Sequence, residues 1–348
     1  MGEITAGGAE MHPGKPVIWP TSKEKAQSVQ TQREIQAAIQ AAKSAEAQKT
    51  ISPQEAAKIQ AALKQQLAAE TARAYTQADI QNLLMAQNIP VNSANENLAV
   101  TMLRYGIEVS NSNFSTLLAM MGANPGQTTI EAAIILFSKG VNSPEAVKTL
   151  SQFLSENPQL AAQLMSLKGN VSDLLSALSL GGGIVNDKLL AQLTAILSKF
   201  MQELENVPKK YKFSGDGSMG RAELSSDMRA LQALLNGVPK ENLPDTAEGQ
   251  IIDSNLRATS NRLNQTIEGL TSQALLSKQT PNETVNYSYY QIPNPMTQPM
   301  STVDIIVKRS TSEGGKKIDE NNTEIIMSLD TENMGRLTVK IVVTNEKS

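Results

Sequence analysis

The sequence predicts a mainly α-helical chain with a small α+β or β-rich domain at its C-terminus, built around an antiparallel sheet that contains a hairpin. Three observations predict this. Apolar residues recur at helical spacing, between Asn, Gly and Pro punctuation, as far as about residue 280. Tyr, Pro and β-branched residues then become frequent. Finally, Leu337, Val339, Ile341 and Val343 alternate with their neighbours, which is the two-residue period of a half-buried strand.

The first 75 residues contain few large apolar side chains. Residues 1–22 are rich in Gly and Pro, and we expect a disordered tail that holds the only His and the only Trp. Residues 23–75 are rich in Ala, Gln, Lys and Glu, which favour helix. Pro53 at a first helical position predicts two helices, at about 24–49 and 53–74.

Residues 76–180 are predicted to form a domain of repeated short helices. Asn88, Gly106 and Gly140 each follow an apolar helix and can adopt the left-handed conformation that ends it. A new start signal follows each of these helix ends. The predicted starts are capping boxes at Ser93 with Glu96 and at Thr128 with Glu131, and cap-then-proline pairs at Ser143-Pro144 and Asn157-Pro158.

The largest apolar side chains of this repeat domain are its core candidates. They are Met102, Phe114, Leu117, Leu118, Met120, Ile134, Ile135, Phe137, Leu150, Phe153, Leu160 and Leu164. A methionine-bearing surface can also be an adaptable binding groove. The sequence favours a core position for Met120-Met121.

Residues 184–280 are predicted to be helical and to end in a linker. The predicted helices are about Asp187–Glu205, Arg221–Asn236 and Gly249–Leu276. Residues 207–220 are predicted to form a loop. Its Lys and aromatic residues could bind single-stranded nucleic acid, but one such cluster in an acidic chain favours a plain surface loop.

The composition predicts a protein that is not an enzyme, with no cofactor and no metal site built on Cys or His; a metal site made only of carboxylates stays open at this point. Cysteine is absent and there is a single His, so Cys/His metal sites and Ser/His/Asp triads have no residues to draw on. A net charge of −3 gives no general attraction to nucleic acid. The longest strongly apolar run, near residues 132–137, is far too short to insert across a membrane.

Residues 285–348 form the predicted β-rich domain. Strands are expected at Tyr287–Ile292, Val303–Val307, Thr323–Leu329 and in the alternating run after Gly335. Gly335 closes the turn of the last hairpin, where a residue without Cβ tolerates positive φ. A sheet built this way keeps an exposed edge.

The string Leu329-Asp330-Thr331-Glu332-Asn333-Met334-Gly335-Arg336-Leu337-Thr338-Val339 resembles the C-terminal domain of flagellar hook-length control proteins. That family has Pro at the place of Thr331 and Leu at the place of Met334. The short-helix repeats are also similar to the N-terminal halves of Gram-positive members. In the family the domain continues beyond this hairpin through a helix and a further strand, so the resemblance implies that the domain here is truncated at Ser348.

The resemblance implies a type III export substrate that leaves the bacterial cytoplasm through the flagellar channel. Its N-terminal part would measure the hook and contact hook and hook-cap subunits. Its C-terminal domain would contact the cytoplasmic domain of the export-gate switch protein and change export from hook to filament subunits. The implied partner-binding residues are Leu329, Glu332, Asn333, Met334, Gly335 and Arg336, with Glu332, Asn333 and Arg336 exposed and with Leu337 and Val339 structural.

The residues alone leave a second interpretation open: a non-enzymatic cytoplasmic helical adaptor or scaffold with an appended β domain.

Chain length is compatible with the hook-measuring role that the resemblance implies. Residues 1–285 would span on the order of 950 Å if fully extended at roughly 3.3–3.6 Å per residue.

Overall fold

The computed structural model describes residues 75–123, 125–180, 187–210, 220–238, 243, 245–281, 285–294, 296–297, 299–310, 322–331 and 335–344. The predicted tail and the predicted helices at 24–49 and 53–74 lie outside these residues. Nine helices precede the sheet in the described part of the chain. They are α1 (Gln77–Ala86), α2 (Ser93–Arg104), α3 (Asn111–Met121), α4 (Gln127–Ser138), α5 (Pro144–Glu156), α6 (Leu160–Leu180), α7 (Asp187–Lys210), α8 (Arg221–Asn236) and α9 (Ala247–Ser277).

Four strands follow the helices and pair as an antiparallel meander in the order β1-β2-β3-β4. They are β1 (Val285–Asn294), β2 (Ser301–Ser310), β3 (Asn322–Thr331) and β4 (Gly335–Thr344). In the register, Tyr289 pairs with Ile306, Ile306 with Ile326, and Ile326 with Lys340. The predicted fold class, mainly α with a small C-terminal sheet, is confirmed.

The ends of the short helices follow the predicted chemistry. Asn88, Gly106 and Gly140 have φ angles of 55°, 68° and 66°, so each adopts the left-handed conformation just after its helix. Ser143 caps α5, because its hydroxyl accepts the N–H of Ala146 at 3.2 Å.

Three predicted helix starts are wrong. Asn92, not Ser93, caps α2 and accepts the N–H of Asn95 at 2.9 Å. Both residue types cap well, so composition does not separate them. Thr128 lies inside the first turn of α4, which begins after Gly126 without a side-chain cap. Asn157 ends α5 at φ 49° instead of starting α6.

The predicted boundary of α7 is also wrong. The helix continues to Lys210, through the start of the predicted loop at 207–220. Leu197, Phe200, Leu204 and Val207 are buried at spacings of three and four residues. The apolar stripe therefore extends one turn beyond the predicted end.

The described residues form two hydrophobic clusters, and each face of the sheet belongs to one of them. The Tyr289 face includes Tyr289, Ile306 and Ile326, which pack with α1–α5. The Tyr290 face includes Tyr290, Ile305 and Val307, which pack with α6–α9. Of the predicted core residues, Leu118 is exposed and was wrongly predicted, Phe137 is partly buried, and the rest are buried. Met120 and Met121 are buried, as predicted.

Helix α9 covers the free edge of β1. The Ser277 hydroxyl accepts the N–H of Tyr289 at 3.1 Å and donates to its carbonyl at 2.8 Å. The side-chain oxygen of Gln273 accepts the N–H of Gln291 at 3.2 Å. Side chains of a helix therefore take the place of a neighbouring strand, and the sheet is joined to the helices by both packing and hydrogen bonds.

Candidate functional site

The β3–β4 hairpin forms as the sequence predicts and carries the described part of the family-like string. Leu329 pairs with Leu337, and Thr331 pairs with Gly335. Gly335 has a φ of 69°, and a Cβ built there would meet no atom within 4 Å. Backbone conformation, not space, is therefore the reason for glycine at this position. Glu332, Asn333 and Met334 lie outside the described residues.

The expectation that Arg336 is exposed is wrong. Its side chain is 5% exposed, and its guanidinium lies 2.5 Å from a carboxylate oxygen of Asp304, which is itself 5% exposed. Asp304 is on β2, so the arginine reaches across β3. It crosses beside Ser328, which pairs with Asp304. Arg336 and Asp304 thus form a buried ion pair, the clamp, that joins β4 to β2.

Two further polar side chains, Tyr289 and Gln291, complete the surroundings of Asp304 on the Tyr289 face. The Tyr289 hydroxyl donates to Asp304 Oδ1 at 2.7 Å, and the Gln291 amide donates to the same oxygen at 3.3 Å. The side-chain oxygen Oε1 of Gln291 accepts the N–H of Leu160, at the start of α6, at 3.1 Å. The buried polar cluster thus links three strands to a helix terminus.

Burial raises the pKa of the Asp304 carboxyl, opposed by hydrogen bonds from Tyr289 and by the positive charge of Arg336. Burial, followed by the charge of Asp304, raises the pKa of the Tyr289 hydroxyl well above its usual value. With Arg336 and Asp304 almost wholly covered, we assign the cluster to holding β4 in place and not to chemistry on a substrate. The sequence carried one signal for it, an Asp inside the β-branched run 303–307.

The outer strand β4 is largely exposed, although its sequence alternates like a half-buried strand. Leu337, Ile341, Val342 and Val343 are 41, 40, 54 and 38% exposed. The expectation of a structural role for Leu337 is wrong in that its side chain is not in the core, and Val339 is half-buried. The two hydrophobic clusters take in side chains of β1, β2 and β3, and neither includes a described residue of β4. The exposed apolar residues form a candidate protein-binding surface.

A groove of about 420 Å³ with both polar and apolar walls lies between α5, α6 and α9. Gln152, Gln159, Arg262, Gln265 and Glu268 are among the residues that line it. Gly269 allows close packing there, since a Cβ at this position would lie 3.0 Å from the side-chain oxygen of Gln163.

Two further findings concern the described residues. They contain no group of three or more His, Cys, Asp or Glu side chains placed to hold a metal ion. None of their helices combines the length and the apolarity required to cross a lipid bilayer. Comparison of the chain with protein-family models, with curated proteins and with solved structures finds no match.

Proposed function

We propose that this chain is a flagellar hook-length control protein and a type III export substrate, whose β3–β4 hairpin contacts the cytoplasmic domain of the export-gate switch protein. The observation that supports the proposal is the placement of the family-like string on an exposed hairpin at the open side of the sheet. The export-gate contact is therefore assigned to exposed side chains of β4 and to the turn, and Arg336 acts by holding β4 in position.

The helical part is proposed to measure the hook and to contact hook and hook-cap subunits during transit. Helices α1–α5 are 10 to 13 residues long and are joined by short turns. They pack together and do not form one long rod. Measurement in this proposal uses the chain in an extended form, after its small helical cores have opened for export. The absence of cysteine leaves no cross-link to block that passage.

The test uses the full chain, because both faces of the sheet pack against helices, so the described strands share their core with the helical part. Binding of the purified export-gate cytoplasmic domain is measured for the wild type, for Leu337→Asp and for the control Leu234→Asp. Leu234 is an exposed leucine on α8, far from β4 in the sequence. We expect Leu337→Asp to weaken binding by at least about tenfold and the control to leave it unchanged.

Hook length in a flagellated host provides a second readout, since a failed switch leaves hooks growing beyond their normal length. Absence of binding by the wild-type chain, or equal binding by both variants, would remove the hairpin from the proposed function.

The groove between α5, α6 and α9 favours the second candidate, a helical adaptor. An adaptor would hold its partner after substitutions in β4 and lose it after Arg262→Glu in the groove. Hook length would then be unaffected by either change.

A further inference from the structure

The two edges of the sheet differ in how they are protected. At β1, Ser277 and Gln273 satisfy backbone groups of Tyr289 and Gln291. The guanidinium of Arg221 also donates to the Tyr289 carbonyl at 3.3 Å. At β4, no described strand or helix lies beyond the outer edge. An uncovered edge strand presents unpaired N–H and C=O groups that can pair with another chain.

The side chains of β4 protect this open edge only in part. The ten-residue strand has no proline and no inward bulge, and Lys340 is its only charged residue besides the clamped Arg336. Three consecutive apolar residues, Ile341, Val342 and Val343, are exposed near its end. Because successive residues point to opposite faces, a strand added beside β4 would cover apolar surface on both faces.

The pairing of β4 with β3 shows which side chains fit opposite the residues of β4. Its partner β3 places Ile325, Met327 and Leu329 opposite Ile341, Val339 and Leu337 on the Tyr290 face. On the Tyr289 face, the Glu324 carboxylate lies 2.9 Å from the Lys340 ammonium. The Lys340 side chain remains 54% exposed and can attract a second carboxylate from the outer side.

We propose that the outer edge of β4 binds an extended segment of a partner protein by antiparallel strand addition. The segment places alternate apolar residues on the Tyr290 face and a carboxylate beside Lys340 on the other face. Main-chain hydrogen bonds supply the affinity in this mode, and alternate side chains supply the specificity. The inference rests on the proposed function in placing the partner at this hairpin, and it adds the mode of binding and the chemistry of the bound segment.

A second copy of this chain fits the edge less well. A stable protein–protein interface uses roughly 20–30 residues on each side, and β4 has ten. Antiparallel self-pairing centred on Lys340 would also place two ammonium groups opposite each other, which is destabilising. An extended segment needs only the strand itself.

Disulfide trapping tests the proposal on the full chain, which has no cysteine of its own. The probe is a synthetic peptide with the sequence of β3, Asn322–Thr331, that carries Ser328→Cys. The chain carries Thr338→Cys, since Thr338 is exposed and pairs with Ser328 in the register that β4 accepts. The control chain carries Ser226→Cys at an exposed position on α8, and the control peptide has the same composition in scrambled order.

We expect the strand peptide to cross-link to Thr338→Cys at least about ten times more than the scrambled peptide, and to cross-link poorly to Ser226→Cys. Adding Ile341→Lys should abolish the difference, because it would put another charge on β4, on the face where the bound segment places its apolar side chains. Adding Ile251→Lys, at another exposed isoleucine, should leave it intact.

Equal cross-linking of both peptides, or no effect of Ile341→Lys, would overturn strand addition. If the chain alone forms a dimer and Ile341→Lys makes it monomeric, a second copy of the chain, and not a partner segment, binds the edge of β4. Trapping without binding of the export-gate domain would contradict the proposed function and leave strand addition standing. Binding of that domain without trapping of the peptide would support the proposed function and contradict strand addition.

Discussion

Replacing Arg336 by Met gives the sharpest test of the clamp that holds β4. Met keeps much of the length of the side chain but removes the charge that faces Asp304. In the native protein both side chains are 5% exposed and 2.5 Å apart. Removing one partner of such a buried pair leaves the other charge without compensation, which costs about 3–5 kcal/mol. Asp330 is 3.7 Å from the same guanidinium but mostly exposed, so its carboxylate stays hydrated without Arg336 and adds little to the cost.

The penalty should depend on pH in a defined direction. Burial already raises the pKa of Asp304 in the folded protein, so the folded state binds this proton more tightly than the unfolded state. The free energy of unfolding from this group therefore falls as the pH rises from the unfolded pKa through the folded one. Loss of Arg336 raises the folded pKa further. The cost of Arg336→Met should accordingly be larger at pH 8 than at pH 5.

Urea denaturation followed by circular dichroism, with amide exchange of β2 and β4 as a local readout, measures the effect. The matched control is Arg257→Met, which breaks a pair with Asp253 of the same 2.5 Å length on the exposed surface of α9. Surface pairs contribute little, so we expect no measurable change. The double variant Asp304→Asn/Arg336→Met should recover about 2 kcal/mol or more over Arg336→Met alone. Equal effects of the two Arg→Met changes would refute the buried clamp.

Three further substitutions test local features of the backbone and of side-chain contacts, and each is measured as a change in the free energy of unfolding. Gly335→Val should cost about 1–3 kcal/mol through backbone strain alone, because φ is 69° and no atom is near. Ser277→Ala should cost about 1–3 kcal/mol and speed amide exchange at Tyr289, since the hydroxyl serves both backbone groups of that residue. Gly269→Ala should be neutral or destabilising alone, but should stabilise by about 0.5–1 kcal/mol when Gln163→Ala removes the clash 3.0 Å away.

Matched changes test each of these reasons. Gly126→Ala, at a negative φ and with equally open space, should lack the penalty of Gly335→Val. Ser226→Ala, on the exposed surface of α8, should be neutral. A strong loss from Gly269→Ala that persists with Gln163→Ala would point to contacts other than the Gln163 side chain.

The hairpin shows how far local pattern reaches. Alternation in 337–343 and in 323–329, with a glycine between them, predicts two paired strands, and both form. Alternation does not say whether other elements cover the strand. Leu337 and Ile341 follow the apolar pattern, but the helices pack against β1 and β2. Burial of a strand depends on its position in the sheet, which its own sequence does not contain.

For Arg336 the error in predicted burial is the opposite one: the residue was expected to be exposed and is buried. A charged residue in an alternating strand is expected to face water, because an isolated buried charge is costly. Here the compensating carboxylate comes from Asp304, 32 residues earlier in the chain. Only the antiparallel meander brings the two together across Ser328. Tyr289 and Gln291 join the cluster for the same reason.

Local interactions explain what the sequence by itself determined. These are the helical composition as far as residue 280, the left-handed helix ends at Asn88, Gly106 and Gly140, and the strands of the C-terminal sheet. Backbone propensity and residue periodicity depend on neighbours within a few positions, so the order of residues along the chain is enough to predict their effects. Tertiary structure alone decided that α9 protects one sheet edge, that β4 keeps the other open, and that Arg336 is buried with Asp304. These features depend on pairings between distant residues, and their free energies exist only once the sheet and helices have packed.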